Sequence, residues 1–228
     1  MNLKSVGYKE IIKWSIWGIL AILLIVYLVR VISFENAYYD EKDGSERAVA
    51  EATGSGDELI EVAPTEEEVR EYVVPANRPR YLSVERLGVT NARILSMGVN
   101  SKGELDTPQN IFDVGWYESS GLPGAGGTMV IDGHNGGPHV HGVFKNLPDL
   151  AAGDIIKIER GDGAIFKYQV VENKTVPLSE SDQYMVTALR SPEVGKESVT
   201  LISCTGEWSQ QQDTYLSRQF TRAVLLET

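Results

Sequence analysis

The sequence predicts an all-β domain in the C-terminal two thirds of the chain, preceded by a membrane anchor and an acidic linker. Three observations predict this organisation. Residues 14–29 carry no charged side chain, residues 35–75 are strongly acidic, and from about residue 78 short apolar runs recur between Gly-rich stretches. Many short strands with Gly-rich connections are typical of a β-sandwich or a β-barrel.

The first element is an apolar segment that predicts a transmembrane helix. It runs from Trp14 to Val29, is flanked by Lys13 and Arg30, and is extended by two further apolar residues. A spanning helix needs about 20 apolar residues. A cleaved signal peptide is the alternative, but it requires an apolar region of about 7–15 residues and a small-residue cleavage site, which residues 30–35 do not offer. We therefore expect an uncleaved anchor within residues 1–34.

The charges around this segment predict its orientation. Lys4, Lys9 and Lys13 precede it, whereas only Arg30 follows closely. Because basic residues stay on the cytoplasmic side, the N-terminus is expected in the cytoplasm. The rest of the chain is then expected outside a cell membrane that it spans once.

Residues 35–77 predict an extracytoplasmic linker. Residues 35–75 hold thirteen acidic and three basic residues, so most of the net charge of −11 lies there. High charge with few large apolar groups opposes folding, and the acidic balance argues against a nucleic-acid partner. One short helix is expected, because Thr65 and Glu68 have the capping-box spacing. This segment, Thr65–Tyr72, is also a candidate lid.

The folded domain, residues 78–228, is predicted from short apolar runs, some of which alternate with polar residues. No long helix is predicted between the strands, which argues against a doubly wound α/β sheet. Short helices are expected at Val140–Leu147 and Asp182–Leu189. The predicted strands are Tyr81–Leu87, Ala92–Met97, Thr128–Asp132, Ile155–Glu159, Ile165–Val171, Ser198–Cys204 and Phe220–Leu226.

Cys204 is the only cysteine of the chain and the first candidate for chemistry. It is expected at the end of an apolar strand, with residues 205–208 forming a loop at the rim of a sheet. A buried structural cysteine is the alternative, since free cysteine is often buried. In an extracytoplasmic domain, however, a thiol without a disulfide partner indicates a reactive group.

His134 and Arg218 are the second and third candidates. His134 follows a predicted strand, and Arg218 is expected to begin the last one. A thiol, an imidazole and a fixed cation together suit nucleophilic chemistry. A structural histidine and a surface cation are the alternatives. Arg222 rivals Arg218, because a strand places residues four apart on one face.

Several segments resemble, in order, motifs of the sortase family. Residues 131–134, Ile-Asp-Gly-His, and residues 143–147 resemble the Gly-His segment and the Phe-x-x-Leu that follows it. Residues 200–204, Thr-Leu-Ile-Ser-Cys, resemble the Thr-Leu-x-Thr-Cys strand, with Ser203 in place of the usual Thr. Residues 218–224 resemble the final strand with its essential Arg. The segments most like class F sortases lie upstream, at residues 103–108, 113–117 and 123–127.

The resemblance implies an eight-stranded β-barrel and a cysteine transpeptidase. Such an enzyme cleaves a C-terminal Leu-Pro-x-Thr-Gly-like sorting motif after Thr, through a thioacyl intermediate. It then transfers the acyl group to an amine of a peptidoglycan precursor or a pilin. By this resemblance Cys204 is the nucleophile, His134 transfers protons, and Arg218, rather than Arg222, stabilises the oxyanion.

The resemblance implies no obligatory cofactor. Some sortases use Ca²⁺, but the spacing of Glu104, Asp113 and Glu118 does not specify a Ca²⁺ site.

Two other functions remain alternatives at this stage. A zinc hydrolase would use His134, His139 and His141, since three protein ligands and a water form a catalytic zinc site. Their spacing fits no known zinc motif and leaves Cys204 without a role. A non-catalytic anchored module would use the barrel to bind cell-wall polymer or a partner.

Overall fold

The computed structural model describes residues 59–100 and 105–226, all within one unit formed by residues 49–228. The predicted anchor and the first part of the predicted linker lie outside these residues. Within the described ranges, no helix is both long and apolar enough to cross a membrane.

The domain is a closed barrel, which confirms the predicted eight-stranded architecture. Its strands follow one another around the barrel in the order β1-β2-β3-β4-β7-β8-β6-β5. Pairing is antiparallel except for two parallel pairs, β2 with β3 and β4 with β7. The strands are β1 (Pro79–Val84), β2 (Val89–Met97), β3 (Val114–Tyr117), β4 (Thr128–Gly133), β5 (Ile155–Arg160), β6 (Ile165–Pro177), β7 (Ser198–Ser209) and β8 (Thr214–Leu225).

The segment after Cys204 differs from the prediction. Strand β7 does not end there: it continues to Ser209 and pairs with β8 as far as Ser209 opposite Thr214. The register shifts between Thr205 and Trp208, and Gly206 has a φ of 85° that favours glycine. The prediction of a loop at residues 205–208 was therefore wrong, because a bulge in a long hairpin resembles a loop in sequence.

The boundaries of other strands also differ from the prediction. Strand β1 stops at Val84, where a short 3₁₀ helix (Glu85–Leu87) replaces the predicted strand end. Strand β8 begins at Thr214, so Arg218 lies inside it rather than at its start. Strand β3 was not predicted, because it has four residues, three of them buried, and shows no alternation.

Two of the three predicted helices are present. Helix α1 (Glu66–Glu71) has the predicted capping box: the Glu68 amide donates to Thr65 Oγ1 at 3.2 Å, and the Thr65 amide donates to Glu68 Oε2 at 2.7 Å. Helix α2 (Leu178–Ala188) begins four residues earlier than predicted.

The prediction of a helix at Val140–Leu147 was wrong. This stretch forms turns and leads into a 3₁₀ helix (Leu147–Asp149). The amides of Gly142, Val143 and Phe144 donate to carbonyls of residues 135, 111 and 134 respectively. They therefore hold this loop against its neighbours instead of closing an α-helical turn.

Two apolar cores organise the barrel. The main core fills the interior and includes Ile131 and Leu201. A second group, which we call the outer cluster, comprises Val130, Val176, Ala188, Ile202 and Phe220. Because side chains alternate along a strand, β7 sends Leu201 inward and Ile202 outward, where α2 packs.

The segment before β1 is attached to the barrel. Tyr72 donates its hydroxyl to the Ile94 carbonyl at 2.6 Å, and the hydroxyl of Tyr81 donates to the Val69 carbonyl. These bonds hold α1 on β1 and β2; the lid role stays a prediction. Ile60 also pairs with the loop at residues 109–111, donating to the Gln109 carbonyl at 2.9 Å.

Candidate active site

The strand pairing brings the three predicted residues into one row. Along the parallel pair β4–β7, Thr128 faces Ser198 and Asp132 faces Ile202. Strand β4 ends at Gly133, and the same offset continued past its end would set His134 opposite Cys204, in agreement with the bond from Asn135 Nδ2 to the Cys204 carbonyl at 2.9 Å. On the other side of β7, the antiparallel register pairs Cys204 directly with Arg218. Residues separated by 70 and 14 positions in the chain thus become neighbours.

The row lies on the outer face of the barrel. Cys204 is two positions from Ile202, and Arg218 is two positions from Phe220, both of which belong to the outer cluster. Even spacing along a strand keeps side chains on one face. Leu105 and Tyr117 pack against this cluster. The cluster is buried under these residues and α2, so it supports the two strands behind the thiol.

The Cys204 side chain is a free thiol that is partly exposed. Burial raises its pKa, the Arg218 cation opposes that rise, and the Asp132 carboxyl adds to it. The net direction is upward, so the thiol form predominates at neutral pH. Arg218 is the nearby cation that favours the thiolate.

His134 is partly exposed and is held through one ring nitrogen. Its Nε2 lies 2.7 Å from the Pro108 carbonyl oxygen. Because a carbonyl only accepts, this contact assigns the proton to Nε2 and leaves the lone pair of the neutral ring on Nδ1. Burial lowers the pKa of His134, and the bond to Pro108 partly opposes that change. Both members of the thiol–imidazole pair therefore favour their uncharged forms.

Arg218 is fixed by its own hairpin. Its Nη1 donates to the Tyr215 and Ser217 carbonyls at 2.9 and 3.1 Å, and its Nη2 lies 3.2 Å from Thr214 Oγ1. These bonds hold the guanidinium near the row without neutralising its charge.

Arg222, the rival candidate, has a different environment. It is only 6% exposed and pairs with Glu172 at 2.5 Å. Its Nη2 donates to the Thr187 and Arg190 carbonyls at the end of α2. Arg222 therefore fastens α2 to the barrel, and of the two arginines Arg218 is the one paired with Cys204.

Two polar contacts tie β7 to the His134 segment. Ser203, which stands in place of the usual Thr, donates its Oγ hydroxyl to the Gly133 carbonyl at 2.9 Å. Asn135 Nδ2 donates to the Cys204 carbonyl at 2.9 Å and continues the β4–β7 pairing beyond the end of β4. Sequence reasoning missed Asn135; its one signal was an amide side chain directly after the histidine.

Asp132 is a second polar residue that the sequence did not single out. Thr107 Oγ1 donates to its Oδ2 at 2.6 Å, and burial raises the carboxyl pKa to about 7. Gly115 makes room for the carboxyl, since a Cβ there would lie 2.5 Å from Asp132 Oδ1.

The structure does not bring the three histidines together as a metal site. His139 and His141 are exposed, whereas His134 is engaged with Pro108. Among residues 59–100 and 105–226, no group of three His, Cys, Asp or Glu side chains is placed to hold a metal ion. The zinc alternative therefore has no geometric support.

An eight-stranded barrel with a Cys, His and Arg row defines a class of cysteine enzymes. A family model for the sortase domain matches residues 82–225, well over half of the chain. The chain belongs to the sortase family, and it is a cysteine transpeptidase that processes sorting motifs.

Three solved structures to which the chain is similar are the following. A Clostridium perfringens sortase D5 transpeptidase is 23% identical, with 72% of this chain and 90% of that chain covered and a TM-score of 0.46. Streptococcus agalactiae sortase C1 is 21% identical, with 83% and 90% covered and a TM-score of 0.49. Streptococcus pneumoniae sortase C is 18% identical, with 83% and 90% covered and a TM-score of 0.48. No curated protein matches the chain significantly. The likeness to class F stays a prediction.

Proposed function

We propose that this sortase cleaves a C-terminal Leu-Pro-x-Thr-Gly-like signal, with Cys204 as its nucleophile, and transfers the product to an amine. The observation that carries the proposal is the row His134, Cys204 and Arg218 on three neighbouring chain segments. His134, Cys204 and Arg218 are each partly exposed, so a peptide can reach the row.

In the acylation step, the Cys204 thiol transfers its proton to His134 Nδ1, and Sγ bonds to the carbonyl carbon of the substrate Thr. The electron pair of that carbonyl moves onto oxygen. When the tetrahedral adduct collapses, the bond to the Gly nitrogen breaks, and the imidazolium protonates the leaving amine. A thioester on Cys204 remains.

In the transfer step, an incoming amine attacks the thioester carbon. The amine loses its proton to the neutral imidazole, and the thiolate leaves. Arg218 stabilises the oxyanion in both steps through its guanidinium N–H groups, which are suited to a developing negative charge.

The membrane role is part of the same proposal. An anchor within residues 1–34 with a cytoplasmic N-terminus holds the barrel at the outer membrane face. Sorting-signal proteins and a lipid-linked peptidoglycan precursor or pilin subunits would meet the enzyme there. The amine acceptor is thus a peptidoglycan precursor or a pilin.

The test uses the full-length chain in detergent micelles. It is incubated with a library of sorting-motif peptides and a glycine or diamine nucleophile, and mass spectrometry reports cleavage and transfer. Cleavage between Thr and Gly, with a thioester adduct on Cys204, is expected. If Cys204→Ala retains peptide cleavage, the proposed nucleophile is wrong.

A non-catalytic module remains the second candidate function, and thiol accessibility separates the two. Partial exposure of Cys204 favours the enzyme. We expect native protein to be alkylated by iodoacetamide at Cys204, whereas a thiol that resists alkylation until the protein unfolds would favour the module.

A further inference from the structure

One loop holds two groups of the site through consecutive residues. Thr107 Oγ1 donates to Asp132 Oδ2 at 2.6 Å. The next residue, Pro108, accepts a hydrogen bond from His134 Nε2 at 2.7 Å through its carbonyl. Asp132 and His134 are themselves two positions apart at the end of β4. The same stretch of backbone is therefore attached to β4 and to the imidazole.

We propose that Thr107 and Asp132 are positioning residues whose hydrogen bond fixes the Pro108 carbonyl against His134. The carbonyl then holds the proton on Nε2 and presents the Nδ1 lone pair to Cys204. The inference rests on the proposed function, because it concerns the proton-transfer role of His134.

The loop needs such an attachment at this point. Proline has no backbone N–H, so Pro108 cannot anchor itself as a donor. The attachments on either side lie at Asp106, whose amide donates to the Gly98 carbonyl at 3.1 Å, and at the Gln109 carbonyl, which accepts from Ile60 at 2.9 Å. Between these two bonds, the Thr107 side chain ties the loop to β4 through its bond to Asp132.

The neighbouring strand is shaped around the same contact. A Cβ on Gly115 of β3 would lie 2.5 Å from Asp132 Oδ1 and 3.0 Å from Pro108 Cδ. Any larger residue would push the carboxyl and the loop apart. The Thr107–Asp132 distance of 2.6 Å is within the normal range of O–H···O hydrogen bonds.

The bond also has an electrostatic consequence. A carbonyl that accepts from Nε2 stabilises the imidazolium, and the Pro108 contact accordingly raises the pKa of His134 against the effect of burial. If the loop relaxes, this contribution is lost, and the pKa of His134 falls. The Nε2–H tautomer also loses its preference, so Nδ1 carries the lone pair for a smaller fraction of the time.

The test compares Thr107→Val with Thr107→Ser in the full-length chain. Valine keeps the shape and removes the hydroxyl, whereas serine keeps the hydroxyl. We expect Thr107→Val to lower kcat about 10- to 100-fold, as small misplacements of a reacting group do, while KM changes by less than about 3-fold. Thr107→Ser should stay within about 3-fold of the parent enzyme.

NMR of ¹⁵N-histidine-labelled protein supplies a readout that a merely structural role would not move. In Thr107→Val, the pKa of His134 should fall and its Nε2–H signal should weaken, and Thr107→Ser should restore both. The exposed His139 and His141 serve as internal references. Unchanged kcat and an unchanged His134 titration in Thr107→Val would overturn the proposal, as would a serine variant as defective as valine.

A double-mutant cycle guards against a folding defect. Because the Asp132 carboxyl also acts on the pKa of Cys204, the cycle is measured on the His134 Nε2–H signal. Asp132→Ala and Thr107→Val remove the two ends of one bond, so their combination should weaken that signal little more than either alone; additive losses would refute the coupling. Asp132→Asn keeps an acceptor and should exceed Asp132→Ala in activity. Failure of the proposed function would appear separately, as cleavage by Cys204→Ala.

Discussion

Asn135 offers the sharpest test of how Cys204, the proposed nucleophile, is held. Its Nδ2 donates to the Cys204 carbonyl at 2.9 Å, and the residue is only 6% exposed. Its Oδ1 is buried and has no hydrogen-bond partner among the described residues. One end of the amide therefore stabilises the site, and the other end costs free energy. Asn135→Ala and Asn135→Asp separate these two effects.

The two variants should differ in how much stability they lose. Alanine removes the donor, which costs about 1–3 kcal/mol, but it also removes the unsatisfied acceptor, so we expect a loss near the lower value. Aspartate has the same shape, but it places a carboxylate oxygen against the Cys204 carbonyl oxygen and buries a charge. We therefore expect a loss of stability of about 3 kcal/mol or more. At about 2–4 °C per kcal/mol for 150–250 residues, the melting temperatures should fall by about 3 °C and about 9 °C.

Thermal unfolding by circular dichroism measures these shifts, and peptide cleavage measures the effect on the site. A carboxylate close to the thiol disfavours the thiolate, so Asn135→Asp should also move the pH profile of Cys204 alkylation upward, whereas Asn135→Ala should not. If Asn135→Asp melts at or above the temperature of Asn135→Ala, the assigned hydrogen bond is wrong.

Three further predictions follow from the site. Arg218→Ala should lower kcat about 10²- to 10³-fold and leave the melting temperature nearly unchanged. Arg222→Ala should cost about 1–3 kcal/mol of stability, because it removes the hydrogen bonds of a buried guanidinium to Glu172, Thr187 and Arg190. Steady-state kinetics and thermal unfolding of both variants would expose a reversed assignment. The pH profile of Cys204 alkylation should have its midpoint above the usual thiol pKa of about 8.5, and Arg218→Ala should move it higher because the cation lowers that pKa; a downward shift would contradict the electrostatics. Ser203→Ala should lower the free energy of unfolding in urea by about 1–3 kcal/mol, because the Gly133 carbonyl loses its hydrogen-bond donor. Ser203→Thr keeps the hydroxyl and should lose less than half as much. Equal losses would show that the hydroxyl is not used.

The sequence predicted most of the barrel because local patterns carry that information. Alternation identified β1, short apolar runs between Gly-rich stretches identified β4, β5 and the first part of β7, and the capping-box spacing identified α1. It could not identify β3, whose residues are held by strands on both sides rather than by their own pattern. The helix predicted at Val140–Leu147 failed because its amides donate to distant carbonyls.

The candidate site likewise has residues that the sequence predicted and residues that it could not predict. Cys204, His134 and Arg218 could be proposed from residue type and motif, but their meeting depends on the register of two strand pairs. Asp132 and Asn135 act through bonds to residues 25 and 69 positions away. Such bonds leave no periodic signal, because each requires the completed barrel to bring its partners together.

The electrostatics of the row affect how readily the Cys204 thiol is oxidised. Oxidation proceeds through the thiolate, and burial together with Asp132 keeps the pKa of Cys204 high in the absence of substrate. Burial also lowers the pKa of His134, so the resting pair is uncharged. If the barrel lies outside the membrane as proposed, this state protects Cys204 between turnovers. The thiolate is then formed chiefly when a bound carbonyl consumes it, and Arg218 supplies the positive charge at that moment.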